Sequence, residues 1–287
     1  MSQAQEAKKH DWSATKYMKY GNERTRPVND LVAQVIQHFP APPTRIYDLG
    51  CGPGNSTSAL LSAFPDAKAT GIDTSPDMLE KARAALPNAE FIKGDIGAWT
   101  LPSSSDQSPV LVFSNAAVHW LRSPKRLETV SRVFNSLPTG SVIAIQVPDN
   151  YDAPTHSLMR AVASEPSKPW SKYFTDVRIG DLADKTRPDL DPIEAAESWY
   201  NVLVSSADTV NIWRTEYKHV IKDARGIVDW VATTGLGPYL VRMEGDEEAK
   251  VAFEKEYERR LSEVYTKLED GKVLLGYPRL FVLARRK

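Results

Sequence analysis

Four polar side chains follow four successive apolar runs of the sequence. Asp48 and Asp73 stand at the ends of the first two runs, Asp95 follows the third and Asn115 ends the fourth. In a parallel sheet wrapped by helices, the carboxyl ends of the strands meet at one edge, where such folds bind ligands. Carboxylate and amide oxygens gathered there could accept hydrogen bonds and attract a cation. The spacing therefore predicts a crevice for a positively charged nucleoside.

A glycine loop with the sequence Gly50-Cys51-Gly52-Pro53-Gly54 begins two residues after Asp48. Dinucleotide sites normally have the pattern G-x-G-x-x-G, because backbone and helix N-terminus must approach a pyrophosphate. An acid beside this turn would repel a pyrophosphate but attract an ammonium group. The combination favours S-adenosylmethionine (AdoMet), which carries an ammonium and a sulfonium but no phosphate. An ordinary strand-to-helix turn is the alternative for the glycines alone, since glycine permits unusual backbone angles.

The remaining polar residues suit the other parts of this cofactor. Asp73 could accept hydrogen bonds from both ribose hydroxyls, although acids also serve this role in NAD sites. Asp95 could accept the exocyclic amine of adenine while Ile96 packs against the ring; a helix N-cap is the competing explanation for Asp95. The predicted cofactor residues are Asp48, Gly50, Gly52, Gly54, Asp73, Asp95, Ile96 and Asn115.

The elements that position these residues predict an α/β fold. Short apolar runs alternate with helical stretches over residues 44–148, as in a doubly wound, Rossmann-like parallel sheet. The predicted strands are 45–49, 69–72, 90–93, 110–114 and 141–147, and the predicted helices are 56–64, 76–86 and 123–136.

Beyond Pro148 the pattern changes, and the chain divides into four predicted segments. These are an N-terminal lid or helical segment (1–43), the AdoMet-binding core (44–148), a helical insertion bordering the substrate site (149–206), and C-terminal strands and helices completing the sheet and cap (207–287). Within the last two we predict helices at 156–164, 192–204 and 244–268, and strands at 209–220 and 279–284, the final strand being antiparallel. The stripe Phe253, Tyr257, Leu261 and Val264 in the charged helix favours core packing over a partner surface.

Composition narrows the class of protein. The 287 residues are 41% hydrophobic with a net charge of −1, and basic residues are interspersed with acidic ones, so we expect no nucleic-acid partner. The single cysteine, Cys51, excludes an internal disulfide and a cysteine metal cluster. The first ten residues lack the apolar core of a secretory signal, and no window reaches the roughly 20 apolar residues that span a bilayer. We therefore predict a cytoplasmic monomer without a membrane association.

From Asp11 onward the chain resembles the AdoMet-dependent trans-aconitate methyltransferases, which belong to the class I methyltransferases. The glycine loop is common to many methyltransferases, whereas the later motifs are more specific to this family. The similar stretches are residues 48–57, 71–73, 75–76, 148–150, 154–156, 212–215, 229–231, 234–236 and 278–281.

The resemblance implies transfer of a methyl group to a carboxylate of a small polycarboxylic acid, giving a monomethyl ester and S-adenosylhomocysteine. A carboxylate with a pKa of about 4 is ionised at neutral pH, so no general base, catalytic triad or metal is expected. Alignment of the reactants and exclusion of water would suffice. The alternatives are methylation of an oxygen or nitrogen on another small metabolite, or a catalytically silent AdoMet-binding protein.

The substrate's other carboxylates need partners, because burying unpaired charge is costly. Arginine can hold a carboxylate by two hydrogen bonds, and surface salt bridges are the competing explanation for each arginine. Arg26 and Arg279 are the preferred pair, and Arg24 and Arg214 are further candidates. Weaker candidates for substrate contacts are His119, Trp120, Gln146 and Asn150.

Two further features bear on the acceptor site. Trp12 and Tyr17, in the N-terminal block 11–17, could form a lid over the bound cofactor; a helix that only packs on the sheet is the alternative. Gly237 departs from the family pattern, because bacterial members often carry an arginine at this position. A related acid is therefore an alternative acceptor.

Overall fold

The computed structural model describes residues 21–39, 41–103 and 106–287, with side chains described from residue 25 onward. The predicted lid residues Trp12 and Tyr17, and the side chain of Arg24, lie outside the described residues. Their predicted roles stay predictions.

Within these ranges seven strands form one sheet. The strands are β1 (Arg45–Leu49), β2 (Lys68–Asp73), β3 (Glu90–Lys93), β4 (Val110–Asn115), β5 (Val142–Pro148), β6 (Ala207–Ile221) and β7 (Val273–Arg286). Their order is β3-β2-β1-β4-β5-β7-β6, with β1 to β5 parallel and β7 antiparallel to both β5 and β6. The predicted Rossmann-like sheet with an antiparallel final strand is confirmed.

Helices connect and cover the strands. They are α1 (Gly21–Ile36), α2 (Asn55–Ala63), α3 (Pro76–Ala85), α4 (Lys125–Asn135), α5 (Pro154–Ala163), α6 (Ala196–Leu203), α7 (Ala224–Ala232), α8 (Gly237–Arg242) and α9 (Glu247–Val264). The sequence patterns did not predict α7 and α8. Helix α9 begins later than predicted because the Asp246 side chain accepts a hydrogen bond from the Ala249 N–H and caps the helix.

The sheet is covered on both faces by apolar side chains, and a third cluster fills the C-terminal half. This third cluster packs α5, α7 and α9 against the ends of β6 and β7. Phe253, Tyr257 and Leu261 are fully buried in it, which confirms core packing for the predicted stripe. Val264 does not belong to the stripe: it is 49% exposed, because α9 ends there and its last turn extends beyond the core.

Within the described ranges, we find no helix with the length and apolar character needed to cross a membrane. In the same residues, no cluster of three or more His, Cys, Asp or Glu side chains is arranged to hold a metal ion.

Candidate active site

A cavity of about 540 Å³ opens beside the carboxyl ends of the parallel strands. Its walls come from the segments that follow each of β1 to β5, and from α7, α8 and β7 on the opposite side. This is the edge where open α/β sheets bind ligands. The predicted strand-end residues Asp73, Asp95 and Asn115 all line it.

The glycine loop forms the floor of the cavity through Gly50 and Gly52, whereas Gly54, also predicted as a cofactor residue, does not line the cavity and faces Ala82 of α3. All three glycines are required by the backbone. Gly50, Gly52 and Gly54 have φ angles of 78°, 54° and 94°, a region that other residues rarely adopt. At Gly50 space is also lacking, because a Cβ atom would lie 2.1 Å from the Cβ of Ala117. The loop therefore keeps backbone close to the space where a ligand would lie.

Asp73 holds this loop in place from the end of β2. Its Oδ2 accepts a hydrogen bond from Gly52 N at 3.0 Å, and its Oδ1 accepts one from Ser75 N at 2.9 Å. Ser75 is in turn the N-cap of α3. One carboxylate thus fixes two turns, and it still lines the cavity.

Asp48 lies behind the glycine loop and does not form part of the cavity wall. The side chain is fully buried, and its Oδ2 accepts hydrogen bonds from Ser56 Oγ and Thr57 Oγ1, both at 2.7 Å. Its Oδ1 is buried without a hydrogen-bond partner among the described residues. Burial, opposed in part by the two hydroxyl bonds, raises the pKa of Asp48 to about 6. The carboxylate therefore supports the loop and the start of α2 from behind.

Asp95, Ile96 and Asn115 complete the end of the cavity formed by β3 and β4. Asp95 Oδ1 accepts a hydrogen bond from Gly97 N at 2.8 Å, which closes a local turn; none of the described helices begins there, so a helix N-cap does not explain the residue. Asn115 Oδ1 is buried without a partner among the described residues. This end of the cavity is therefore acidic and rich in acceptor oxygens.

The opposite end of the cavity contains a buried cation. Arg279, on β7, is only 5% exposed and lines the cavity. Its Nη1 donates to Gln146 Oε1 on the neighbouring strand β5 at 3.0 Å. Gln146 is fully buried behind the wall, so it orients Arg279 and is not itself a lining residue. Asn150, just after β5, lines the cavity with a buried Nδ2 that has no partner among the described residues.

His119 and Trp120 lie between the two ends, on a short 3₁₀ turn after β4. Both line the cavity, and their ring centroids are 5.0 Å apart. Burial, together with nearby Arg126 and Arg279, lowers the pKa of His119 well below its usual value. The imidazole is therefore uncharged at neutral pH and can donate only one N–H.

Leu190 contributes an apolar side chain to the cavity wall from a loop that buried ion pairs stabilise. Arg187, fully buried, forms ion pairs with Asp189 at 2.9 Å and with Asp191. Arg122, which follows the His119 turn, also pairs with Asp191 at 3.0 Å. These contacts fix the residues on both sides of Leu190 and hold the loop against the site.

The structure does not bring all the predicted arginines to the cavity. Arg26 is exposed, and its guanidinium lies over the Tyr217 ring at 5.2 Å. Arg214 is half-exposed and pairs with Asp149 at 2.7 Å, in a separate surface groove. Neither side chain lines the cavity: Arg26 lies on α1 and faces Tyr217, and Arg214 lies on β6 and faces Asp149. Of the described candidate arginines, only Arg279 lines it.

Several lining residues were not predicted. They come from α5, from the segment of α7 and α8, two helices that the patterns did not predict, and from the part of β7 that precedes its predicted start. They include His156, Trp230, Thr234, Gly235, Pro238 and Tyr277. Their only signal was that most lie within or beside the similar stretches of the sequence. Gly237 is buried at the start of α8, between the lining residues Gly235 and Pro238.

Comparison with known proteins gives the class first. Residues 46–140 match a family model described as a methyltransferase domain. The YcgJ protein from Bacillus subtilis shares the fold, with a TM-score of 0.51 and 13% identity over 90% of this chain and 98% of that chain. The sheet, the glycine loop and the cavity at the strand ends are those of a class I AdoMet-dependent methyltransferase.

Relatives of similar length extend the likeness to nearly the whole chain. The trans-aconitate 2-methyltransferase of Variovorax paradoxus is 43% identical over 96% of this chain and 99% of its own length. The enzyme of the same name from Rhizobium rhizogenes is 40% identical over 96% and 99%. The chain therefore belongs to the trans-aconitate 2-methyltransferase family.

Proposed function

We propose that the protein transfers the methyl group of AdoMet to a carboxylate of a small polycarboxylic acid, with trans-aconitate as the acceptor. The observation that carries this proposal is the charge distribution of one cavity. Asp73 and Asp95 line it beside β2 and β3, and the buried cation Arg279 lines it from β7, which the strand order separates from β2 by β1, β4 and β5. A cationic cofactor and an anionic acceptor would each find the charge that favours it. The names of the full-length relatives support the choice of acceptor.

The residues at the acidic end fit AdoMet. Asn115 Oδ1 in the cavity wall is a buried acceptor oxygen with no partner among the described residues, and AdoMet presents amine and hydroxyl donors. Asp73 would hold the ribose, and Asp95 and Ile96 the adenine. The loop backbone at Gly50 and Gly52 would lie against the amino acid portion. When bound, AdoMet supplies a methyl group on a positively charged sulfur.

Arg279 would bind a carboxylate that is not the one methylated. Gln146 holds the guanidinium in place, so less conformational freedom is lost when the acid binds. An arginine fork can form two parallel hydrogen bonds with a carboxylate, which fixes the orientation of the acid as well as its position. The reacting carboxylate would then point away from Arg279, toward the cofactor end.

The remaining residues would act by orientation and by excluding water. A carboxylate with a pKa of about 4 is already ionised, so no side chain has to remove a proton from it. The uncharged His119 can donate a hydrogen bond without competing with Arg279 for negative charge. Trp120, Leu190 and Trp230 supply apolar wall, which reduces competing hydration of the nucleophile. Proximity and orientation carry the reaction.

Methyl transfer across a panel of acids tests this proposal. The purified protein would be incubated with labelled AdoMet and trans-aconitate, related di- and tricarboxylates, and small alcohols and amines. We expect the highest kcat/KM for trans-aconitate and no product from the alcohols and amines. Turnover confined to a hydroxyl or amine acceptor would refute carboxyl methylation while retaining the cofactor site, and binding of AdoMet without any turnover would refute the whole reaction.

The proposals on oligomeric state, cellular location and partners rest on the sequence. We propose a monomer in the cytoplasm that has no nucleic-acid partner, in keeping with the single cysteine and the interspersed charges. Light scattering coupled to size exclusion tests the monomer. Deletion of residues 1–20 tests the proposed lid, since unchanged AdoMet affinity and turnover would exclude that role.

A further inference from the structure

His156 lies where the main cavity meets a small annex of about 30 Å³. The annex has room for one or two water molecules, so a polar group of a ligand could extend into it by displacing them. The residues common to both spaces are His119, Pro148, Asn150, His156, Leu190 and Gly235. The annex therefore joins the main cavity in the part where the proposed acceptor would bind.

The His156 ring is fixed from behind by α5. Its Nδ1 lies 2.9 Å from Thr155 Oγ1, and the backbone oxygen of Thr155 accepts a hydrogen bond from Tyr257 Oη at 2.7 Å. Tyr257 is fully buried in α9. If the Thr155 hydroxyl donates to Nδ1, the single proton of the neutral ring is on Nε2.

Nε2 points toward Gly235, which has no side chain to cover it. A Cβ atom placed on Gly235 would lie 2.6 Å from Nε2, closer than any real contact allows. No hydrogen bond within the described residues uses Nε2. Because Gly235 has no side chain, His156 Nε2 lies at the wall of the cavity without a hydrogen-bond partner among the described residues.

Two other unsatisfied groups surround the same junction. Asn150 Nδ2 and His119 Nδ1 are both buried without a partner among the described residues. Buried polar groups in native proteins are almost always hydrogen-bonded, so a cluster of this kind indicates a ligand group or ordered water. Burial lowers the pKa of His156 to about 3, with a contribution from Arg160, so the ring is uncharged. The cluster is therefore uncharged and lies near the buried Arg279.

We propose that His156 is a specificity-determining residue of the acceptor site, whose Nε2–H, together with Asn150 Nδ2, binds a further carboxylate of the acceptor. This carboxylate is neither the one methylated nor the one bound by Arg279. The inference rests on the proposed function and deepens it, because it assigns the third carboxylate of a tricarboxylate. It also predicts discrimination against dicarboxylates, since they leave these donors unpaired.

Substitutions of His156 distinguish the roles of its two ring nitrogens. Asparagine places its amide near Nδ1 and loses the group at the cavity, whereas glutamine reaches the position of Nε2. We expect His156→Asn and His156→Ala to raise KM for trans-aconitate at least tenfold. Mesaconate and itaconate keep the central carboxylate but each lack one terminal carboxylate. For the one that lacks the carboxylate bound by His156, KM should change less than twofold. His156→Gln should restore much of the preference for trans-aconitate.

Controls distinguish recognition from folding. His38→Asn replaces a histidine in the turn after α1 whose ring bonds to the Gln34 backbone oxygen of that helix, and it should leave the KM values of all the acids unchanged. AdoMet affinity and the thermal midpoint are measured for every variant. Gly235→Ala keeps the His156 side chain, but its added Cβ would displace Nε2. This variant provides a second test should the His156 variants fail to fold, and it should raise KM for trans-aconitate with the same selectivity.

The outcomes are separable. Equal effects on trans-aconitate and on both dicarboxylates, or no effect on any of the three acids, would overturn the role of His156. A wild-type enzyme that methylates mesaconate and itaconate as well as trans-aconitate would also overturn it, while leaving carboxyl methylation intact. A wild-type protein that methylates none of the acids would refute the proposed function itself.

Discussion

Replacing Asp48 with asparagine should remove a pH dependence that this buried carboxyl imposes on folding. The pKa of Asp48 is about 6 in the folded protein against 3.8 for an unperturbed aspartate, because burial outweighs the two hydroxyl hydrogen bonds. Between these values the folded state keeps a proton that the unfolded state releases. Stability is therefore lost as pH rises from about 4 to 6, and the loss persists above pH 6.

The size of the effect follows from the shift in pKa. A change of about two pKa units corresponds to about 3 kcal/mol of unfolding free energy. The Asp48→Asn variant cannot ionise, so its unfolding free energy relative to wild type should rise by about this amount between pH 4 and pH 7.5. The comparison between two pH values cancels any constant cost of the substitution, such as altered bonds to Ser56 and Thr57.

Urea unfolding in the absence of AdoMet, at several pH values from 4 to 7.5, measures this difference. Replacing the exposed Asp66 with asparagine is the matched control, and it should follow the wild type throughout. A constant difference between Asp48→Asn and wild type over this range would refute the argument that burial raises the pKa of this carboxyl. If Asp48 also attracts the cofactor, the variant should bind AdoMet at least tenfold more weakly at pH 7.5, as titration calorimetry would show.

Three further predictions concern the acceptor end, the loop and the floor of the cavity. Arg279→Gln should raise KM for trans-aconitate at least tenfold without changing AdoMet affinity, whereas Arg214→Gln should leave the kinetics unchanged; equal effects in steady-state assays would contradict the placement of the two arginines. Arg187→Met leaves two aspartates buried without their main partner, and chemical denaturation should show a loss of about 3–5 kcal/mol; a loss below 1 kcal/mol would contradict the importance of this network. Gly50→Ala forces a Cβ into Ala117 at a positive φ, so calorimetry should show weaker AdoMet binding together with a lower thermal midpoint; unchanged binding would contradict the tight floor.

The core of the fold and the cofactor end could be predicted because their signals are local. Each parallel strand is a short apolar run, and the acid that ends it is adjacent in sequence, so one periodicity places both. Asp73 and Asp95 therefore reach the cavity as predicted. Asp48 shows the limit of this reasoning, since the pattern placed it beside the turn but did not reveal that it lies behind the loop.

The acceptor end could not be predicted to the same depth, because it is assembled from distant segments. Arg26, Arg214 and Arg279 look alike in sequence, and only the pairing of β7 with β5 brings Arg279 inward. The importance of His156 depends on the absence of a side chain at Gly235, some 80 residues away in the sequence. No spacing rule relates two such positions.

Identification of the product formed from trans-aconitate and AdoMet labelled with ¹³C in the methyl group tests the central claim most directly. The account predicts that the label appears as an ester methyl group in the NMR spectrum, that the product mass is that of a monomethyl ester, and that mild base releases the label as methanol. A labelled methyl group that resists mild base, or no labelled product while AdoMet is bound, would contradict carboxyl methylation in this cavity.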